Sequence, residues 1–181
     1  MTAGRRCGLQ WAMRNPTARA EPPGALPLLS RLFLALVVRP IGAAQALCGE
    51  RIWLPLTPVA RGLGAVAGLL TRPWLVRASA GEHPTWPLLR FTDLVEGSLG
   101  IRGINRVVDS STATREVVFC PFAAELGHAT PFCTTLGHLA GVEACRRLVP
   151  GSSFAVVRTL SQGHGCCEYR FSVVRQPASR S

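Results

Sequence analysis

The sequence contains no lysine, and all 20 of its cationic residues are arginines. This absence excludes Schiff-base catalysis through lysine and the lysine-dependent phosphate sites of P-loop proteins and kinases. No Gly-X-Y repeat occurs, which excludes a collagen-like chain. Hydrophobic residues make up 48% of the sequence, which excludes a mostly disordered chain. The length of 181 residues suits one domain with an appendage.

Acidic residues are scarce in the first half of the chain. Residues 1–81 hold ten arginines and only two acids, Glu21 and Glu50, whereas residues 82–181 hold ten arginines and eight acids. Most of the net charge of +10 therefore belongs to the first half. No zinc-finger, RNA-recognition or helix-turn-helix signature accompanies this charge, so nucleic-acid binding is not expected.

Three regions follow from this division of charge and apolar residues. Residues 1–27 are predicted to form a disordered basic tail. Residues 28–80 are predicted to form an apolar, arginine-punctuated helical segment, which its prolines divide into helices of two or three turns. Residues 88–176 are predicted to form a second, α+β domain, for which a ligand-binding function is argued below. A cytoplasmic location is expected because no export signal of ordinary length is present.

The apolar segment lacks a stretch of about 18 uncharged apolar residues, so a conventional membrane span is not expected. One apolar helix face is predicted at spacings of 4, 3 and 4, namely Val59, Leu63, Val66 and Leu70. Two placements of this segment stay open. It either packs on the second-half domain, or lies on an anionic membrane surface with arginines at the phosphates and Trp53 and Trp74 at the headgroups.

The second half predicts an α+β fold: an antiparallel sheet with a helix packed on one face, in the order strand-strand-helix-strand-strand. Residues 104–109 and 115–120 read as a hairpin, and residues 154–160 and 166–174 as two alternating strands. Between these pairs lies the clearest helix, residues 130–149, with Thr130 as its N-cap and a proline at its first position. The small residues of this helix are expected to let it lie close to the sheet.

The seven cysteines include no Cys-x-x-Cys pair, which disfavours a zinc ribbon or a thioredoxin-like site. Cys120 ends a predicted strand, Cys133 begins the helix and Cys167 begins the last strand, so the three can meet at one edge of the fold. Thiolate ligands there would favour zinc or another divalent metal. The alternative is that these cysteines are buried free thiols acting as small hydrophobic residues.

A nucleophilic site is also considered at the start of this helix. Cys133 is the candidate nucleophile and His128 the candidate base, because a helix N-terminus lowers the pKa of a thiol and raises its thiolate fraction.

Three sequence pieces resemble a known superfamily: Cys120-Pro121-Phe122, Phe132-Cys133 opening a helix, and Gly163-x-x-Cys166-Cys167-x-Tyr169-x-Phe171. Over residues 120–171 the chain resembles the superfamily of 4-vinyl-reductase-like small-molecule-binding domains and L-2-amino-thiazoline-4-carboxylic acid hydrolases. The resemblance implies an α+β ligand-binding fold, sometimes with a cysteine-bound metal. It puts Cys120, Cys133 and Cys167 on the family's cysteine positions. Arg158 stands where related sensor domains have a further cysteine.

The predicted function is therefore small-molecule binding in an apolar pocket between sheet and helix. The resemblance extends this to hydrolysis of a small heterocyclic or amide substrate. The alternative is a non-enzymatic binding or regulatory protein, associated with the membrane surface through residues 28–80.

Overall fold

The computed structural model describes residues 28–123, 132–162 and 164–174. The helices of this part are α1 (Leu28–Phe33), α2 (Arg39–Cys48), α3 (Trp53–Ala78), α4 (Trp86–Ser98) and α5 (His138–Leu148). Shorter helical turns join or precede them: the π-helical turn Leu34–Val38, the 3-10 turn Gly49–Ile52 and the π-helical turn Phe132–Gly137. The strands are β1 (Arg102–Val107), β2 (Thr112–Phe119), β3 (Ser152–Arg158) and β4 (Cys167–Val173).

The four strands form one antiparallel sheet in the order β1-β2-β4-β3. Helical side chains pack on one face of this sheet, where Leu88, Leu89 and Leu148 join Ala113 and Phe171 in the core. Burying such side chains from water is the main favourable term in folding. The prediction of an α+β fold with an antiparallel sheet is thereby confirmed.

The first hairpin turns at Asp109, which the sequence pattern had placed at the end of the first strand. The Asp109 carboxylate accepts hydrogen bonds from the backbone N–H groups of Ser111 at 2.8 Å and Thr112 at 2.9 Å. Such short polar side chains stabilise turns because they hydrogen-bond the backbone two or three residues on. The strands nevertheless begin earlier than predicted, at Arg102 and Thr112.

Helix α3 is longer than its prolines suggested, and the prediction of short helices is wrong here. It runs for 26 residues with Pro58 and Pro73 inside it. Each internal proline removes a backbone donor and costs roughly 3 kcal/mol in an isolated helix. Packing of α3 against α5 and the rest of the protein offsets this cost, because it removes side chains such as Ala60 and Leu75 from water.

Helices α3 and α5 approach each other through small residues. A Cβ atom built on Gly64 would lie 2.8 Å from the backbone carbon atoms of Ala140, and one on Gly68 would lie 2.6 Å from the Ala144 carbonyl oxygen. The small residues of α5 were expected to face the sheet. Ala140 and Ala144 face α3 instead, and Gly141 provides the close contact with the sheet.

The apolar face predicted on α3 lies at the surface. The exposed fractions of its four side chains range from 54% to 77% (Val59, Leu63, Val66 and Leu70). The glycine side of the helix is buried instead, because it permits a closer approach between backbones than branched side chains do. The helical stretch Leu28–Ala78 is also long and apolar enough to cross a membrane. Its most apolar 18 residues have a mean hydropathy of 1.7, and 6% of them are buried inside the protein. A membrane span was not expected from the sequence because the criterion applied there required about 18 apolar residues without any charge.

Candidate functional site

A cavity of about 630 Å³ lies between the inner face of the sheet and the helices. Its volume is in the range of small-molecule sites, roughly 300–1,000 Å³. Most of its wall is aliphatic or aromatic, including Phe91, Val117, Phe122, Leu136, Val156 and Phe171. The cavity reaches the surface beside α3, where Val59 and Leu63 line it and are more than half exposed.

Aromatic contacts fix two parts of the cavity wall. The Phe33 ring centroid lies 5.3 Å from that of Phe122 and 6.2 Å from that of Phe132, so the first helix closes on the loop after β2. On the sheet side, the Phe154 centroid lies 5.6 Å from Tyr169 and 5.2 Å from Phe171. These separations are typical of favourable aromatic pairs.

One region of the wall is polar. Glu96 of α4 and Tyr169 of β4 both line the cavity, and only 7% of Glu96 is exposed. The Arg115 Nε atom donates to Glu96 Oε2 at 2.6 Å, and its Nη1 atom pairs with Asp93 and donates to Asn105 Oδ1 at 2.8 Å. A buried charge needs such partners because desolvation otherwise costs several kcal/mol.

Burial sets the protonation of these groups. Burial raises the pKa of the Glu96 carboxyl, while the charge and hydrogen bond of Arg115 oppose the rise. Burial, followed by the charge of Glu96, raises the pKa of Tyr169 well above its usual value. Tyr169 is therefore a neutral phenol next to an arginine-paired carboxyl group.

The three cysteines predicted as metal ligands, Cys120, Cys133 and Cys167, all line the cavity. Burial raises the pKa of the Cys120 thiol to about 12 and also raises that of Cys167, whose Sγ accepts a hydrogen bond from the Leu160 N–H at 3.1 Å. Within residues 28–123, 132–162 and 164–174, no group of three or more His, Cys, Asp or Glu side chains is arranged to hold a metal ion. The metal set of Cys120, Cys133 and Cys167 therefore stays a prediction.

Only one member of the predicted nucleophilic pair, Cys133, lies within the described residues. Cys133 lies in the π-helical turn before α5 and lines the cavity. His128, together with Thr130 as the predicted N-cap, lies outside the described residues. The pairing of Cys133 with His128 therefore stays a prediction. Arg158, where the resemblance led us to look for a further cysteine, pairs with Glu168 at 2.6 Å.

Thiol reactivity should follow this pattern of burial. We expect Cys48, which is exposed, to react within seconds to minutes with a disulfide reagent at pH 8. Cys120 and Cys145 should react only on unfolding, because burial raises the pKa of both thiols to about 12 and leaves little thiolate. Time-resolved labelling with peptide mapping tests this, and Cys48→Ser should remove the fast signal of its peptide. Rapid labelling of native Cys120 would contradict the expectation.

The polar part of the wall is not among the site residues predicted from the sequence. Arg115 lies between Ala113 and Val117 on the inner face of β2, because every second residue of a strand points to the same side. A charged residue within such a buried row is a signal for a buried ion pair. Its partner Glu96 lies 19 residues away on a helix. Tyr169, the single tyrosine in the chain, lies on the side of β4 that also carries Cys167 and Phe171, so the alternation of this strand gave no separate signal for its hydroxyl.

Comparison with known proteins gives a similarity in fold. No protein-family model matches the chain, and no curated protein matches it. The phenol-responsive sensory domain of the transcription activator PoxR, solved with phenol, has a TM-score of 0.53 and 13% identity, covering 96% of this chain and 92% of that chain. A trafficking protein particle complex subunit 3 from Naegleria fowleri, covalently bound to palmitic acid, has a TM-score of 0.47 and 12% identity, covering 80% of this chain and 97% of that chain. The likeness to the PoxR domain shows a shared α+β fold.

Proposed function

We propose that the chain is a small-molecule-binding domain whose cavity holds an apolar organic ligand. The observation that supports this most is the cavity of about 630 Å³ with a mainly aliphatic and aromatic wall. Apolar ligands gain roughly 25 cal/mol for each Å² of apolar surface removed from water, so such a wall favours them strongly. The PoxR domain, which shares the fold, was solved with phenol, an aromatic molecule. The resemblance to 4-vinyl-reductase-like domains points to the same ligand-binding function.

Filling the cavity should abolish this binding. We expect Val156→Trp to weaken binding of the neutral dye N-phenyl-1-naphthylamine at least tenfold, because the indole would occupy space between Tyr169 and the helices. The measurement is a fluorescence titration that gives affinity and stoichiometry.

The matched control is Val157→Trp on the outer face of the same strand, where the side chain is 49% exposed. Strand neighbours point to opposite faces of a sheet, so this variant should bind the dye like the wild type. Equal affinities of wild type and Val156→Trp would show that the dye binds the exposed apolar surface, and would contradict the proposal.

We infer a second function, association with an anionic membrane surface, from the charge of the N-terminal helices. Residues 28–78 include six arginines and one acid, all exposed, and none of the six arginines forms an ion pair with another described residue. Exposed leucines lie among them, including Leu36, Leu54 and Leu70. Apolar side chains and arginines on one surface favour an interface between lipid headgroups and acyl chains. Two copies of so cationic a face would repel each other.

Charge reversal tests this association. We expect the full chain to float with phosphatidylglycerol vesicles and not with phosphatidylcholine vesicles, and Arg61→Glu/Arg72→Glu to float at least tenfold less. Each basic residue near an anionic surface contributes about 1 kcal/mol, and these two lie eleven residues apart on one side of α3. The control Arg102→Glu/Arg170→Glu makes the same charge change on the sheet and should float normally. Flotation independent of vesicle charge, or a dimer that does not bind vesicles, would contradict this second function.

A further inference from the structure

Glu96 is the strongest hydrogen-bond acceptor among the described side chains that line the cavity. Its carboxylate has about four acceptor positions, and Oε2 accepts a hydrogen bond from Arg115 Nε at 2.6 Å. The Thr92 hydroxyl, which also lines the cavity, already donates to the Leu88 carbonyl oxygen at 2.9 Å. The wall therefore presents unused carboxylate lone pairs to a ligand that can donate.

The charges around the cavity disfavour an anionic ligand. Glu96 is the one carboxylate among the described lining residues, and no arginine is among them. The nearest guanidinium, that of Arg115, is already paired with Glu96 and Asp93. A ligand carboxylate would thus meet a second carboxylate in an apolar environment without a free cation. Burial of such an unpaired charge is strongly unfavourable.

We propose that the cavity selects a neutral apolar ligand with a hydroxyl or N–H group, which donates a hydrogen bond to the Glu96 carboxylate beside Tyr169. This selection rests on the proposed ligand-binding function and specifies its ligand class. A ligand whose polar group only accepts hydrogen bonds cannot bond to these lone pairs. Next to the Glu96 carboxylate it loses hydration without forming a hydrogen bond in return.

Three ligands of one shape separate these classes: 4-butylphenol, its methyl ether 4-butylanisole, and 4-butylbenzoate. We expect calorimetric titration of the wild-type chain to give the phenol an affinity at least tenfold above that of the ether, because hydrogen bonds to charged acceptors are the stronger class. The ether has an additional methyl group, which favours its burial. Apolar area alone would therefore favour the ether, so a higher affinity of the phenol must come from its hydroxyl group. The benzoate should bind more weakly than either.

The variant Glu96→Gln keeps the shape of the side chain and adds an amide donor. We expect the phenol-to-ether ratio to fall about tenfold in this variant, because a neutral amide is a weaker acceptor and also donates to the ether. The control is Asp93→Asn, which changes the same Arg115 network but does not line the cavity. Its ratio should equal that of the wild type. If Glu96→Gln does not fold, as judged by circular dichroism, the wild-type ratio decides.

The outcomes separate the two proposals. An ether that binds as tightly as the phenol, with dye binding intact in the wild type and lost in Val156→Trp, would overturn donor selection alone. A ratio that falls equally in Glu96→Gln and Asp93→Asn would also overturn it, since the ion network rather than the acceptor would then be responsible. Wild-type protein that binds neither the dye nor any of the three ligands would overturn the ligand-binding function itself.

Discussion

Gly64→Ala is expected to lower the free energy of unfolding by about 3 kcal/mol or more, at or above the upper end of ordinary overpacking. A Cβ atom at this position would overlap the Ala140 carbonyl group, with the carbonyl carbon and Cα each 2.8 Å away. Backbone atoms of a packed helix cannot rotate aside as the end of a flexible side chain can. Helices α3 and α5 would have to move apart, and each would lose contacts along the whole interface.

The matched control is Gly62→Ala, two residues away on the same helix. Gly62 is exposed, and nothing lies within 4 Å of the position of its Cβ atom. Alanine in an exposed helix is more favourable than glycine by roughly 0.5–1 kcal/mol, so this variant should be slightly more stable than the wild type. Urea unfolding followed by circular dichroism measures both. A Gly64→Ala variant as stable as Gly62→Ala would contradict the close approach of the helices.

The same substitution should affect the cavity. Gly64 and Ala140 line it, together with Leu63 at its opening. Separation of α3 from α5 would widen the wall where the two helices meet. We therefore expect folded Gly64→Ala to bind N-phenyl-1-naphthylamine more weakly than Gly62→Ala, which links the packing of the first half to the site.

The order of the second half could be predicted from the sequence because its signals are local. Alternation on β3 and β4, the turn at Asp109 and the periodicity of α5 each depend on neighbours within a few residues. The fold class follows once these elements are placed. The buried side of α3 is different, because glycines contribute nothing to an apolar pattern and become the contact surface only when another helix lies against them. Hydrophobic periodicity selected the side with Val59 and Leu63, which is exposed.

The cavity could be predicted only in part for a similar reason. The apolar sides of the strands indicated a pocket. The three cysteines that were expected to meet at one edge of the fold, Cys120, Cys133 and Cys167, all line it. The pair of Glu96 with Arg115 depends on how a helix crosses the sheet, which no local pattern specifies. Glycine at position 103 leaves room for the Arg115 guanidinium, because a Cβ atom there would lie 2.9 Å from the Arg115 Cζ atom.

Arg115→Met is expected to lower the free energy of unfolding by roughly 3–5 kcal/mol, because removing one partner of a buried ion pair leaves the other uncompensated. Arg115 is 2% exposed and Glu96 is 7% exposed. Methionine keeps apolar atoms in place of the aliphatic stem of arginine, so the main loss is that of the guanidinium group. The control Arg106→Met removes an exposed arginine that pairs with Glu116 at 3.5 Å, and should change stability by less than about 1 kcal/mol.

Two further measurements show that the uncompensated carboxylate causes the loss. The double variant Glu96→Gln/Arg115→Met removes both charges, so its loss should be smaller than the sum of the two single losses. The deficit of Arg115→Met should also shrink as the pH falls. The folded-state pKa of Glu96 is already above its usual value of 4.5, and loss of Arg115 removes the groups that oppose this rise. A carboxyl group whose pKa is higher in the folded state binds more protons there, so its contribution to stability decreases as the pH rises through that window. Urea unfolding at a series of pH values from 4.5 to neutrality measures this, and a deficit that is independent of pH would show that Arg115 acts through packing instead.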